Sequence, residues 1–130
     1  RRLDAAIRFL DEHPAVAGLQ GERLAQTLAD AVPPLLCAQQ WTIMRSNRGL
    51  AELAFRELPV EVAAVVVARV REKAKEEGAA FEPDWAQAQR MKVTVRHITG
   101  SSRTPDGWVS VSDLKIGIEV PAKDGSVVSF

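Results

Sequence analysis

The chain has no tyrosine, one cysteine, two histidines and no excess of either charge: 17 lysines and arginines balance 17 aspartates and glutamates. Each shortage removes a class of function. One cysteine forms no intrachain disulfide and no multi-cysteine metal site, and with no sign of export the expected compartment is the cytoplasm. Neutrality argues against a dedicated nucleic-acid binder, whose affinity comes largely from neutralising phosphates, so any basic patch must be local. The longest apolar run, VAAVVVA (62–68), is far too short to span a bilayer. Arg1-Arg2 leads into an amphipathic segment rather than an apolar one, so neither a membrane partner nor a signal peptide is expected. There is no G-x-G-x-x-G, Walker loop, G-x-S-x-G or H-E-x-x-H. The acidic pairs Asp11-Glu12 and Glu76-Glu77 diverge by about 100° on a helix and aim at no common atom. No catalytic residue, cofactor or metal is therefore expected, and the protein reads as a non-enzyme.

What is present is ordinary globular material. Apolar residues make up 46% and charged residues 26% of 130, enough for one domain with its own core. The chain begins with Arg1 rather than Met, so a fragment of a longer protein and a trimmed start both stay open. Leu3, Ala6, Ile7 and Leu10 recur at helical spacing and predict a helix over 2–12. Leu24, Leu28, Ala31 and Val32 predict a second over 21–32. Pro33-Pro34 ends it and, since proline suits a first turn, can open a third that carries Cys37, Trp41 and Met44 on one face. RSNRG (45–49) is a turn signal. Leu50, Leu53, Ala54 and Leu58 suggest a fourth helix ending near Pro59. Pro59, Val60, Val62, Val66, Val70 and Gly78 frame a fifth, apolar nearly all round in its first half and hence central and buried, although valine leaves a strand over 62–68 open. A short helical turn fits PDWAQAQR (83–90).

At Met91 the period changes to two. Met91, Val93, Val95 and His97 alternate with Lys92, Thr94, Arg96 and Ile98. Val109 and Val111 share one parity, and Leu114, Ile116, Ile118 and Val120 the other, which calls for a bulge or turn at Ser112-Asp113. Asp124-Gly125 signals a last hairpin into SVVSF. The expected fold class is therefore α+β: about five short helices over 1–89, then an antiparallel meander of three or four strands over 90–130. DGWVSVSDL (106–114) resembles nine residues of the winged-helix lobe of RNA 2′-phosphotransferases. A helix follows there, whereas KIGIEV reads as strand, so nothing is carried over.

Cys37, among leucines and an alanine, reads as a small core residue. His13 suits a helix end, and His97 reads as a half-buried histidine bonded to backbone. A helix-turn-helix over 47–70 fails, because Val60, Val62, Ala63 and Ala64 belong in a core rather than a groove. The candidate surface is VRHITGSSRTPDGWVSV (95–111), expected to be a hairpin whose loop holds Ser101 to Gly107. No acidic residue occurs between Trp85 and Pro105, and Arg90, Lys92 and Arg96 form a basic stripe that Arg103 extends from the loop tip. Trp108 shares parity with Ser110 and Ser112 and is expected to be exposed. The bland account is a polar outer sheet face that discourages edge pairing. The preferred functional reading is a binding or assembly domain whose partner is another protein or a second copy. The alternative is nucleic-acid backbone binding through the basic strand and hairpin 90–108.

Overall fold

A computed structural model describes residues 1–46 and 49–130. The architecture is α+β, with helices α1 (Arg2–Glu12), α2 (Pro14–Ala17), α3 (Gly21–Ala31), α4 (Ala38–Arg45) and α5 (Val60–Glu77). They pack on one side of a four-stranded antiparallel meander in the order β1-β2-β3-β4. The strands are β1 (Ala51–Ala54), β2 (Lys92–Thr104), β3 (Gly107–Pro121) and β4 (Val127–Ser129).

The core forms where the two periodicities meet. The first half of α5 buries Val62, Ala63, Ala64, Val65, Val66, Val67 and Val70, which makes it the central helix and closes the strand alternative. Leu3, Ala6 and Leu10 of α1 and Leu24 and Leu28 of α3 pack in the same core. The sheet presents Leu53, Val93, Val95, Ile118 and Val120 to it. From Arg69 onward α5 is polar apart from Val70 and Ala74, and it carries the pairs Arg69–Glu72 (2.8 Å) and Lys73–Glu77 (2.9 Å). Gly78 then ends the helix at φ +59°, a conformation that costs a side-chain-bearing residue steric strain. Phe130 folds back beneath Arg69 and Lys73 and meets Phe81 edge-on at 5.9 Å. Its backbone N–H and C=O both bond to Ile118, which pins the chain end to the sheet.

Three expectations are corrected. The segment expected as a fourth helix over 50–58 is instead strand β1 followed by a 3-10 turn, Phe55–Glu57. Both readings fit the apolar spacing. A period of two wins because it buries Ala51, Leu53 and Phe55 together while β2 takes up the backbone bonds. The sheet thus draws its edge strand from the helical half. Pro33-Pro34 opens only a 3-10 turn, and α4 starts after Cys37. Cys37 is exposed rather than core, because it occupies the N-cap of α4, where Gln40 Oε1 accepts its backbone N–H at 2.8 Å. The turn signal at RSNRG falls partly on Asn47 and Arg48, outside the described residues.

Other local expectations hold. His13 sits at the end of α1, its Nδ1 2.8 Å from the Phe9 carbonyl oxygen and its ring stacked on Phe9 at 3.9 Å. Trp85–Arg90 is a helical turn capped by Asp84, whose carboxylate accepts the Ala86 N–H. In the β3–β4 turn, Asp124 accepts hydrogen bonds from the hydroxyl and the N–H of Ser126. These bonds hold the Asp124 carboxyl below its ordinary value, the hydroxyl bond contributing most. A lowered carboxylate pKa adds stability that is present above the unfolded value and is lost as pH falls through the folded one. Ser126→Ala should therefore raise the Asp124 pKa, measured by NMR titration, and leave the turn less sensitive to acid.

Candidate interaction surface

β2 and β3 pair without interruption from Lys92↔Glu119 to Thr104↔Gly107. The bulge expected at Ser112-Asp113 does not exist, and Ser101 to Thr104 are strand rather than loop. The turn is only Pro105-Asp106, closed by Gly107 at φ +121° and by the Thr104 hydroxyl donating to the Gly107 carbonyl at 2.9 Å. Pairing is continuous, so the parity switch has another cause. β1 covers β2 only across 92–95, and β4 covers β3 only across 119–121. From Ile98 to Asp113 the two strands leave the core and project as a ribbon. Beyond the helices there is no core side to keep apolar, and the valines move to the other face.

The register fixes which side chains share each face. On the helix side of the ribbon stand Thr99 with Ser112, Ser101 with Ser110, and Arg103 with Trp108. On the outer side the successive pairs are Lys92 with Glu119, Thr94 with Gly117, Arg96 with Lys115, Ile98 with Asp113, Gly100 with Val111 and Ser102 with Val109. Ile98, Val109 and Val111 are each about half exposed, at 46%, 49% and 47%. Trp108 is 71% exposed, as its parity with the serines led one to expect.

The five candidate residues do not form one stripe. Lys92 and Arg96 share the outer face, but Lys92 is tied to Glu52 at 3.6 Å and stands beside Glu119. Arg90 lies before the strand and donates to Gln87 Oε1 at 3.0 Å. Arg103 is not at a loop tip and does not extend the stripe: its odd parity places it on the opposite face, across from Trp108. Sequence reasoning missed Lys115 as the cross-strand neighbour of Arg96, and it missed the apolar set Ile98, Val109 and Val111. The parity switch was the signal for that set, and it marks where β3 passes the end of the core.

Arg96 and Lys115 are like charges directly opposite each other, an arrangement that costs stability. Among the described residues no carboxylate lies within ion-pair distance of either. One pair nearer the root, Gly117 has no side chain, and a Cβ there would stand 2.7 Å from Thr94 Oγ1. The result is a shallow hollow of about 270 Å³ on the outer face, lined by Leu50, Thr94, Gly117, Ser129 and Phe130 among others. At the ribbon root His97 is half-buried as expected, but Nε2 faces the Ser112 hydroxyl rather than backbone. No family model, curated protein or solved structure matches this chain.

Proposed function

We propose that this chain is a non-catalytic binding and assembly domain that joins polypeptides through the outer face of the β2–β3 ribbon. The observation that carries this reading is the group Ile98, Val109 and Val111, half-exposed on one face of a projection that contributes nothing to the core. Apolar side chains cost free energy in water, and grouped on a protruding face they favour a partner that covers them. The ribbon edges add to this. β3 turns the N–H and C=O of its even-numbered residues away from β2, as Ile118 shows by bonding Phe130. The corresponding groups of Trp108, Ser110 and Ser112 thus lie along an edge that no strand of the sheet covers. Among the described residues no polar or charged side chain is buried, and no three His, Cys, Asp or Glu cluster to hold a metal. No helix is long and apolar enough to cross a membrane. The exposed thiol of Cys37 suits a reducing cytoplasm.

Nucleic-acid backbone binding through residues 90–108 is the second reading, favoured by Arg103 beside an exposed Trp108 with serine and threonine hydroxyls along the same face. It is weakened by the division of the basic residues between two faces and by Glu52 and Glu119 among them. It requires binding that falls steeply with salt and is lost in Arg96→Ala with Arg103→Ala.

The assembly reading is tested with Ile98→Lys combined with Val111→Lys. Both positions are exposed, so thermal unfolding should shift by no more than about 0.5 kcal/mol per site. Association, whether with another polypeptide in affinity capture or with a second copy in sedimentation, should disappear. Association that survives the double substitution would remove the ribbon from the proposal.

A further inference from the structure

The outer face carries its own counterpart. We infer that the occupant of this face is a second copy of the chain, packed face to face and antiparallel about a two-fold axis that crosses β3 between Asp113 and Lys115. This inference rests on the assembly reading and specifies its partner.

Outer-face residues of β3 run Val109, Val111, Asp113, Lys115, Gly117 and Glu119 toward the root. A two-fold axis lying between the two sheets and across the strands reverses this order and places β3 over β3. Centred between Asp113 and Lys115, it sets Asp113 of each copy over Lys115 of the other. The next step outward sets Val111 of each copy over Gly117 of the other. Three features that lack an account within one chain are then matched. The unpaired Arg96–Lys115 couple receives a carboxylate. The hollow lined by Thr94 and Gly117 receives a valine side chain. The half-exposed Val111 leaves water. Within its own chain Asp113 Oδ1 accepts the Leu114 N–H at 2.8 Å, which holds the carboxylate in place and leaves its second oxygen for the lysine.

Sheets pack face to face about 10 Å apart with interdigitating side chains, which gives a valine facing a glycine the room it needs. An isologous interface of this kind closes on itself and stops at two copies. The six outer pairs span about 34 Å on two strands about 10 Å wide together, roughly 700 Å² over both copies and less than a standard interface, so association no tighter than micromolar is expected. Centred on Asp113 the axis would stack two carboxylates, and centred on Lys115 two ammonium groups; centred between them it also lays Val109 over Glu119, and Ile98 over the alkyl stem of Arg96.

The experiment is a charge exchange read by sedimentation and light scattering across a concentration series. The wild type should move from 14.2 kDa toward twice that mass. Asp113→Lys alone and Lys115→Asp alone should each be monomeric at concentrations where the wild type is dimeric, because each brings like charges together. The double variant Asp113→Lys/Lys115→Asp should dimerise again. An equimolar mixture of the two single variants should form heterodimers although neither associates alone. Both positions are exposed, so all three variants should leave circular dichroism unchanged. A wild type that stays monomeric, with ribbon-dependent capture of a different polypeptide, overturns the two-fold arrangement and leaves the assembly reading standing. A monomer with no ribbon-dependent capture overturns both. A dimer that Ile98→Lys with Val111→Lys breaks, but that ignores the charge exchange, overturns this register alone.

Discussion

Phe55→Ala lowers the stability of the domain by about 3–5 kcal/mol, the usual cost of truncating a buried phenylalanine. Phe55 is 1% exposed in the 3-10 turn between β1 and α5, and its N–H donates to the Met91 carbonyl at 3.0 Å. Its ring closes the end of the core where the chain leaves the sheet for the central helix. A domain of this size holds about 5–15 kcal/mol in all, so the variant should unfold at a much lower urea concentration and remain largely folded only without denaturant. The measurement is equilibrium unfolding followed by far-ultraviolet circular dichroism, with Phe55→Leu as the control. Leucine restores most of the volume and should recover more than half of the loss. An alanine variant with an unchanged midpoint would mean that residues 51–58 are not packed as β1 and its turn.

Gly117→Val should abolish self-association, more than a hundredfold, while leaving the monomer folded. The strand accepts a β-branched residue readily; among the described residues the new Cβ would meet the Thr94 hydroxyl at 2.7 Å, the end of a side chain that can turn aside, and the Phe130 carbonyl oxygen at an ordinary 3.6 Å. What the valine removes is the hollow. Val111 of a second copy would then meet a side chain of its own size, the sheets could not close to packing distance, and Asp113 could not reach Lys115. Gly117→Ala should give an intermediate loss. Sedimentation reports both variants, and thermal unfolding shows that the monomer is intact. Dimerisation at wild-type strength in Gly117→Val would mean that this hollow is not part of the contact.

These two residues also show how much the sequence disclosed. The strongly periodic segments were legible: α1, α3 and the arms of the hairpin follow from their spacing, and α5 from its framing by Pro59 and Gly78, although its valines left a strand over 62–68 open. Residues 50–58 were not, because Leu50, Leu53, Ala54 and Leu58 make a helix stripe while Ala51, Leu53 and Phe55 make a strand face. Only β2, forty residues away, decides between them. The candidate surface was half visible. The hairpin, the basic strand and the exposure of Trp108 could be read locally, but the face on which Arg103 sits depends on the turn lying at Pro105-Asp106 rather than several residues earlier. Cys37 was misjudged because neighbours in sequence do not report which way a helix-capping side chain points. Gly117 and Lys115 could be connected with Thr94 and Arg96 only once the register was known.

The unbroken ladder between β2 and β3 also separates two kinds of heritable change. Below His97 the helix-facing side chains of the ladder, Val93, Val95, Ile118 and Val120, belong to the hydrophobic core, and altering one costs folding free energy. Above it no side chain belongs to the core, so substitutions there leave the fold nearly untouched and act on recognition alone. A lineage could therefore rewrite its choice of partner at Ile98, Val109, Val111 and Asp113 while inheriting the scaffold intact.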